Sequence, residues 1–143
     1  MSRKFMKKKK MRYARYTQNE NNNAHVLYAG TLKGYQIMII DMCHSHPCIY
    51  VKVPRNMSGY IETNLCCHGG VSYVGYMISD PGEGYEWIGW DYMHLCDYKP
   101  RYRGIPYSFF SRRKWTTEEL YLEARDAVKH LRKLVKEYND KTE

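Results

Sequence analysis

The C-terminal part of the chain carries the pattern that most constrains the fold. Between residues 117 and 138 apolar side chains recur at steps of three and four, which places them on one face of a helix. Thr116 and Glu119 have the spacing of a capping box, in which each side chain accepts a hydrogen bond from a backbone N–H of the first turn. A helix with one apolar face must bury that face, so we predict that it covers a sheet. The positions predicted to be buried are Leu120, Val128, Leu131 and Val135.

The residue pattern of the chain before this helix is typical of strands and turns. Short runs rich in Val, Ile and Tyr predict strands at 25–29, 35–41, 48–53, 71–78 and 85–91. Turns are predicted at Gly34, at Pro54 with residues 56–59, at Gly69-Gly70 and at 80–84, the last as a hairpin loop. Because these connections are too short for crossover helices, the sheet should be mainly antiparallel. The predicted fold class is α+β: a mainly antiparallel sheet of about five strands covered by a C-terminal helix.

The charge distribution separates an extension from a domain. Eight of the 23 basic residues precede the first acid, Glu20, and the remaining 15 basic residues match the 15 acidic ones. We therefore predict a basic and polar extension at 1–23 and a single α+β domain at 24–143. The extension should attract nucleic acid weakly and without specificity, and residues 1–15 should be dispensable for folding.

No apolar run approaches the roughly 20 residues of a membrane-spanning helix, and the basic N-terminus lacks the apolar run of a signal peptide. We expect a soluble cytoplasmic protein with no membrane partner and with reduced thiols.

Cysteine and histidine residues, with Asp97, fall into three groups in the sequence that could bind a metal ion. Zinc could use four of these residues if the groups met, but no pair has the CxxC spacing common in small zinc sites. Buried thiols and hydrogen-bonded histidines are favoured, so no metal and no other cofactor is predicted. Whether the cysteines and His46 meet around a metal stays open. The groups are Cys43, His44, His46 and Cys48; Cys66, Cys67 and His68; and His94, Cys96 and Asp97.

A thiol nucleophile is a second possibility for chemistry. Cys66 or Cys67, with His68 or His94 as base and an aspartate as orienter, could form a catalytic set. The sequence has no strand-turn-helix nucleophile elbow around either cysteine. Binding without catalysis is therefore favoured over an enzyme.

Two segments carry the candidate ligand site. Residues 68–73 read His-Gly-Gly-Val-Ser-Tyr, in which two glycines allow close approach of the backbone to a ligand. Residues 91–97 then present three polar side chains at steps of three, and arginines follow that can pair with phosphate. The candidate ligand-binding residues are His68, Gly69, Gly70, Tyr73, Asp91, His94, Asp97, Arg101 and Arg103.

The same two segments resemble motifs of a family of small bacteriophage proteins. Those proteins carry His-Gly-Gly-(Leu/Val)-Thr-Tyr and Trp-Ile-Gly-Phe-Asp-Cys-(Ala/Gly)-His-x-Gly-Asp, which residues 68–73 and 87–97 resemble. An upstream His-x-Cys-Gly-Tyr-Val pattern resembles residues 46–51, and the likeness spans about residues 34 to 138. The chain departs from the family at Ile49, Ser72, Trp90, Tyr92 and Cys96. Tyr92 replaces a family cysteine, which argues against that thiol being an indispensable ligand or nucleophile.

The resemblance implies a phage origin and a shared polar set of His68, Asp91, His94 and Asp97. By analogy with other phage accessory proteins, it suggests a homo-oligomer that sequesters a nucleotide immune signal in the infected cell. Aromatic rings could stack on the base and arginines could pair with the phosphates. A metal- or Cys/His-dependent hydrolase acting on a nucleotide is the first alternative, and a protein- or nucleic-acid-interaction module is the second.

Overall fold

A computed structural model of the chain describes residues 25–42, 46–76, 84–92 and 115–142. Within these ranges the chain forms five strands and two helices. The fold is α+β, as predicted, with a five-stranded antiparallel sheet and a long C-terminal helix. The strands are β1 His25–Leu32, β2 Tyr35–Met42, β3 His46–Pro54, β4 Tyr73–Gly75 and β5 Tyr85–Asp91, and the helices are α1 Arg55–Asn64 and α2 Thr117–Thr142.

The strand order in the sheet is β1-β2-β3-β5-β4, and each neighbouring pair is antiparallel. A two-residue turn joins β1 to β2, and both of its residues have positive φ, 51° at Lys33 and 89° at Gly34. This conformation matches the right-handed twist of the flanking strands, which explains a tight hairpin here. The last strand in sequence, β5, lies between β3 and β4.

The prediction of a turn after Pro54 is wrong, because residues 55–64 form α1. Met57 and Ile61, four residues apart, bury their side chains, and Leu65 continues the same stripe. The Ser58 hydroxyl is also buried and donates to Glu86 Oε1 on β5 at 2.6 Å. Tertiary packing thus outweighs the low helix propensity of the Asn and Gly residues in this segment. The connection from β3 to β4 therefore contains a helix, contrary to the expectation from its length.

Both helices pack on one face of the sheet, the helix face. Its core includes Ile39, Ile49 and Ile88 from the central strands, with Ile61 of α1 and Leu131 of α2. The opposite face, here called the second face, is buried as well, and neither helix contributes to its cluster. Burial on both faces explains why β2 has an apolar run instead of an alternating pattern. The second-face cluster is Ala29, Met38, Ile40, Cys48, Tyr50 and Trp87.

Helix α2 confirms the periodicity analysis. Leu120, Val128 and Leu131 are buried, whereas Val135 is only partly buried. The capping box is formed in both directions: Thr116 N donates to Glu119 Oε1 at 3.0 Å, and Glu119 N donates to Thr116 Oγ1 at 3.1 Å. The helix continues four residues beyond the predicted end at 138.

Strand β4 is shorter than predicted, with three residues in place of the expected run from 71 to 78. The predicted extension at 1–23 lies outside the described residues, and so do four of the five residues of the predicted hairpin loop at 80–84. None of the helices in the described ranges is long and apolar enough to cross a membrane.

Candidate functional site

The structure describes five of the nine residues predicted to bind a ligand. His68, Gly69 and Gly70 lie in the turn after α1, Tyr73 begins β4, and Asp91 ends β5. The other four lie outside the described residues: His94, Asp97, Arg101 and Arg103. The described five fall into two neighbourhoods, one around the His68 ring and one around Tyr73 and Asp91.

The His-Gly-Gly segment forms a tight turn. Gly70 N donates to Cys67 O at 3.0 Å, and Gly69, the third residue of the turn, has φ of 70°. A positive φ at the third position is the requirement of a type II turn, which explains the need for glycine at this position. The turn places the His68 ring against Tyr92, with centroids 4.5 Å apart and ring planes 10° apart.

Trp115 completes an aromatic cluster around His68. Its ring meets His68 edge-on at 5.4 Å and Tyr92 at 4.8 Å between centroids. The Tyr92 hydroxyl accepts from Trp90 Nε1 at 3.1 Å and donates to Glu123 Oε1 at 3.0 Å. Burial raises the pKa of Tyr92 well above its usual range, so the phenol stays a neutral donor. These hydrogen bonds link the end of β5 to α2 through Tyr92, and the His68 ring packs on the Tyr92 ring.

The second neighbourhood is an aromatic shelf, defined by Tyr73, Tyr50, Gly89 and Asp91. Gly89 pairs with Tyr50 on one side and with Tyr73 on the other, and the two tyrosine rings meet edge-to-face at 5.6 Å. A Cβ at Gly89 would lie 2.5 Å from the Tyr50 ring, so only glycine leaves room for this arrangement. The Tyr73 hydroxyl donates to Tyr76 O at 2.6 Å, and 38% of the Tyr73 surface remains exposed.

Asp91 lies at one end of the shelf. Its Oδ2 accepts from Ser72 Oγ at 3.0 Å, while Ser72 N donates to Gly89 O at 2.9 Å. In the sheet register Asp91 is opposite Cys48 of β3. Burial, with the Asp91 and Asp41 carboxylates, raises the pKa of Cys48 to about 12, and a hydrogen bond with Tyr50 acts in the opposite direction. The Cys48 thiol is therefore neutral near pH 7.

The other candidate metal ligands and nucleophiles do not come together in one site within the described residues. Cys66 is exposed, and its backbone N donates to His130 Nδ1 at 3.0 Å, a histidine that the sequence analysis did not single out. Burial raises the pKa of Cys67 to about 12. His46 starts β3, and Cys43, His44 and Cys96 lie outside the described residues. Within the described ranges, no three His, Cys, Asp or Glu residues are grouped to hold a metal ion.

A cavity that the sequence analysis missed lies at the opposite end of the sheet. Its volume is about 450 Å³, and it opens where β2 and β5 begin and β3 ends. The Lys52 ammonium lies 5.4 Å from the centroid of the Tyr85 ring. A lysine inside the otherwise apolar run of β3 was the available signal. The lining residues are Gly34, Tyr35, Gln36, Lys52, Pro54 and Tyr85.

The shelf offers an exposed ring and a carboxylate acceptor on one face of the sheet, a combination suited to stacking and hydrogen bonding. Comparison of the chain with protein-family models, with curated proteins and with solved structures gives no match.

Proposed function

We propose that the protein binds and sequesters a phosphate-bearing small molecule of the nucleotide type and releases it unchanged. The observation that carries this proposal is the aromatic shelf, where the exposed Tyr73 ring is held by its hydrogen bond to Tyr76 O, on the same face of the sheet as the Asp91 carboxylate. A nucleobase stacked on an aromatic side chain gains about 1–3 kcal/mol. A carboxylate can accept hydrogen bonds from ribose hydroxyls or from an exocyclic amine.

In this proposal the phosphates are bound by Arg101 and Arg103, the two arginines predicted from the sequence. Guanidinium groups bind phosphate through two parallel hydrogen bonds, which fixes orientation as well as charge. Asp91 precedes them by 10 and 12 residues, so the chain can carry them back toward the shelf.

Two of the three described thiols, Cys48 and Cys67, favour binding over covalent catalysis. Both Cys48 and Cys67 have a pKa of about 12, raised chiefly by burial, and a protonated thiol is a poor nucleophile and a poor metal ligand. A hydrolase that uses either thiol would need a nearby group to lower that pKa. For this reason we place the hydrolase second.

In its biological setting we propose a phage-type accessory protein that acts as a homo-oligomer in the cytoplasm of the infected host. Removing a nucleotide immune signal there would counter host defence. This part of the proposal is supported by the resemblance of residues 68–73 and 87–97 to the phage motifs.

The test is native mass spectrometry of the purified protein with a panel of mono-, di- and cyclic nucleotides, followed by denaturation and analysis of the released ligand. We expect a bound nucleotide that returns with its mass unchanged. Return of a cleaved product would instead establish the hydrolase. Binding of oligonucleotides alone, lost on deletion of residues 1–15 and at raised salt, would establish the nucleic-acid module.

Variants of the shelf test its position. Tyr73→Ala and Asp91→Asn should each abolish nucleotide retention while leaving the melting temperature within a few degrees. Tyr76→Ala removes a comparably exposed ring nearby and should bind as the parent does. Ser72→Ala removes only the hydrogen bond to Asp91. If Ser72→Ala and Asp91→Asn lose stability equally and neither affects retention, Asp91 is structural and the proposed site is wrong.

A further inference from the structure

We propose that one exposed side of α2 binds the phosphate backbone of double-stranded nucleic acid, without preference for sequence. This side is defined by Arg125, Lys129, Arg132 and Lys136, here called the basic stripe, and all four residues are exposed. The inference goes beyond the proposed nucleotide function. Helix α2 packs on the helix face of the sheet, whereas the shelf, with Tyr50, lies on the second face. A nucleotide on the shelf and a duplex on the stripe therefore occupy different surfaces.

The spacing of the stripe residues places them on one side of the helix. They follow one another at steps of four, three and four residues, which confines them to an arc of about 60° around the helix axis. Along the axis they span about 16 Å. Helix α2 has six basic and six acidic residues, yet no acidic residue lies on this arc between 125 and 136. The stripe is therefore a local concentration of positive charge on a helix that is formally neutral.

The contacts of α2 leave the stripe on the side of the helix that does not face α1. His130 accepts from Cys66 N at 3.0 Å, and Glu137 accepts from the Tyr60 hydroxyl at 3.0 Å. These two contacts join another side of α2 to α1 and to the segment after it. An ion pair joins Arg125 to the adjacent Asp126 at 3.7 Å, and both side chains are more than half exposed. A surface ion pair of this kind contributes little, so a phosphate can replace it.

The chemistry of the stripe favours a duplex over other polyanions. In the part of the chain that the structure describes, the exposed large apolar side chains are Tyr73, Tyr76 and Tyr85, and none of them lies on α2. An acidic protein partner would require apolar side chains at the centre of the interface, and a single strand would require exposed rings for its bases. The apolar face of α2 is packed on the sheet and cannot enter a membrane. A duplex needs only a row of cations, because their binding to its phosphates releases counterions.

The experiment is fluorescence anisotropy of the full chain with a labelled DNA duplex of about 20 base pairs, at several KCl concentrations. A duplex of unrelated sequence, a duplex RNA and polyglutamate are the matched probes. We expect the two DNA duplexes to bind equally and at least about tenfold more tightly than polyglutamate. The RNA arm shows whether the stripe accepts both kinds of duplex or DNA alone, and either result supports the proposal. Equal binding of polyglutamate, a preference for one DNA sequence, or no binding of DNA would each overturn it.

A pair of double variants assigns the binding to the stripe. Lys129→Gln with Lys136→Gln removes two charges and keeps the helix propensity of both positions. The slope of log K against log[KCl] changes by about 0.9 for each phosphate contact, so its magnitude should fall by about 2. Arg55→Gln with Lys141→Gln is the matched control, because it removes two exposed charges that lie over the Tyr76 and Tyr60 rings, away from the stripe. The control should leave the slope unchanged.

The results of the variants separate the stripe from the other basic segments and from the shelf. An equal fall of the slope in the control would mean that net charge alone attracts the duplex, and the stripe would be wrong. An unchanged slope in the stripe variant would also overturn the proposal, because residues 1–15 would then account for the binding. Tyr73→Ala should lose nucleotide retention and keep duplex binding. Loss of duplex binding in Tyr73→Ala would place the duplex on the shelf and contradict the stripe, whatever the result for nucleotides.

Discussion

Gly89 shows how one missing side chain shapes a surface. Its two cross-strand neighbours are tyrosines, and the Tyr50 ring occupies the space where a Cβ would stand. The nearest ring atom would lie at 2.5 Å, far inside van der Waals contact. Neither Tyr50, which is buried, nor the paired backbone can move without loss of packing.

We therefore expect Gly89→Ala to destabilise the protein by about 1–3 kcal/mol, because an extra methyl group overpacks this position. Gly59→Ala is the matched control. Gly59 lies in α1 with open space around its Cβ position, and alanine there should stabilise by about 0.5–1 kcal/mol. Urea unfolding of both variants measures the difference. Equal stability of the two variants would contradict the close approach of Tyr50.

The described cysteines should differ in reactivity. Cys66 is exposed, whereas Cys48 and Cys67 are less accessible and have a pKa of about 12. At pH 8 a thiol with that pKa is a thiolate on the order of 10⁻⁴ of the time. We expect iodoacetamide at pH 8 to alkylate Cys66 well before the other two, with labelling of Cys67 rising as the pH approaches 12. Peptide mass spectrometry follows each site, and equal rates at pH 8 would refute the assignment.

Residue patterns predicted some site features and not others. Glycine at 69 and 70 correctly indicated a turn, since positive φ is a local property. The packing of His68 on Tyr92 and Trp115, and the hydrogen bond from Ser72 to Asp91, depend on how segments 19 to 47 residues apart in the sequence come together. The Lys52 and Tyr85 cavity depends on the pairing of β3 with β5 and was not readable from either segment alone.

At the scale of elements, α2 was predictable because its signals agree. Apolar spacing, a capping box and acidic residues in the first turn all point to a helix that begins at residue 117. In α1 the signals conflict: Asn56 and Gly59 favour a turn, and only Met57, Ile61 and Leu65 show helical spacing. Packing against the sheet and α2 decides in favour of the helix, and that packing is not visible in a ten-residue window.

The contribution of α2 to stability can be measured by truncating its apolar face. Leu131 is fully buried, and Leu131→Ala should cost about 2–5 kcal/mol. Val135 is only partly buried, so Val135→Ala should cost distinctly less, about 1 kcal/mol. Thermal or urea unfolding gives both values. A cost at Val135 equal to that at Leu131 would mean that this face of α2 is covered more completely than the structure shows.

At the scale of the whole molecule, charge is concentrated in one segment. Residues 1–15 carry eight of the 23 basic residues and little patterned apolar surface. We expect deletion of residues 1–15 to leave the melting temperature nearly unchanged, because a charged segment with few apolar residues adds little burial. Differential scanning calorimetry of the two chains at the same ionic strength is the measurement. A loss of several degrees would show that the segment is docked on the domain.

The insertion of β5 between β3 and β4 has a consequence for biosynthesis. The ribosome synthesises β1, β2 and β3 first, and these three strands can pair as an antiparallel meander as soon as they emerge. The outer edge of β3 then has no partner strand until β5, Tyr85–Asp91, is synthesised more than 30 residues later. Until then the nascent chain exposes an unpaired strand edge rich in Ile, Val and Tyr, and such an edge can pair with other incompletely folded chains. A chaperone that shields β3 during this interval would raise the yield of native protein, and slow translation between the two strands would lower it.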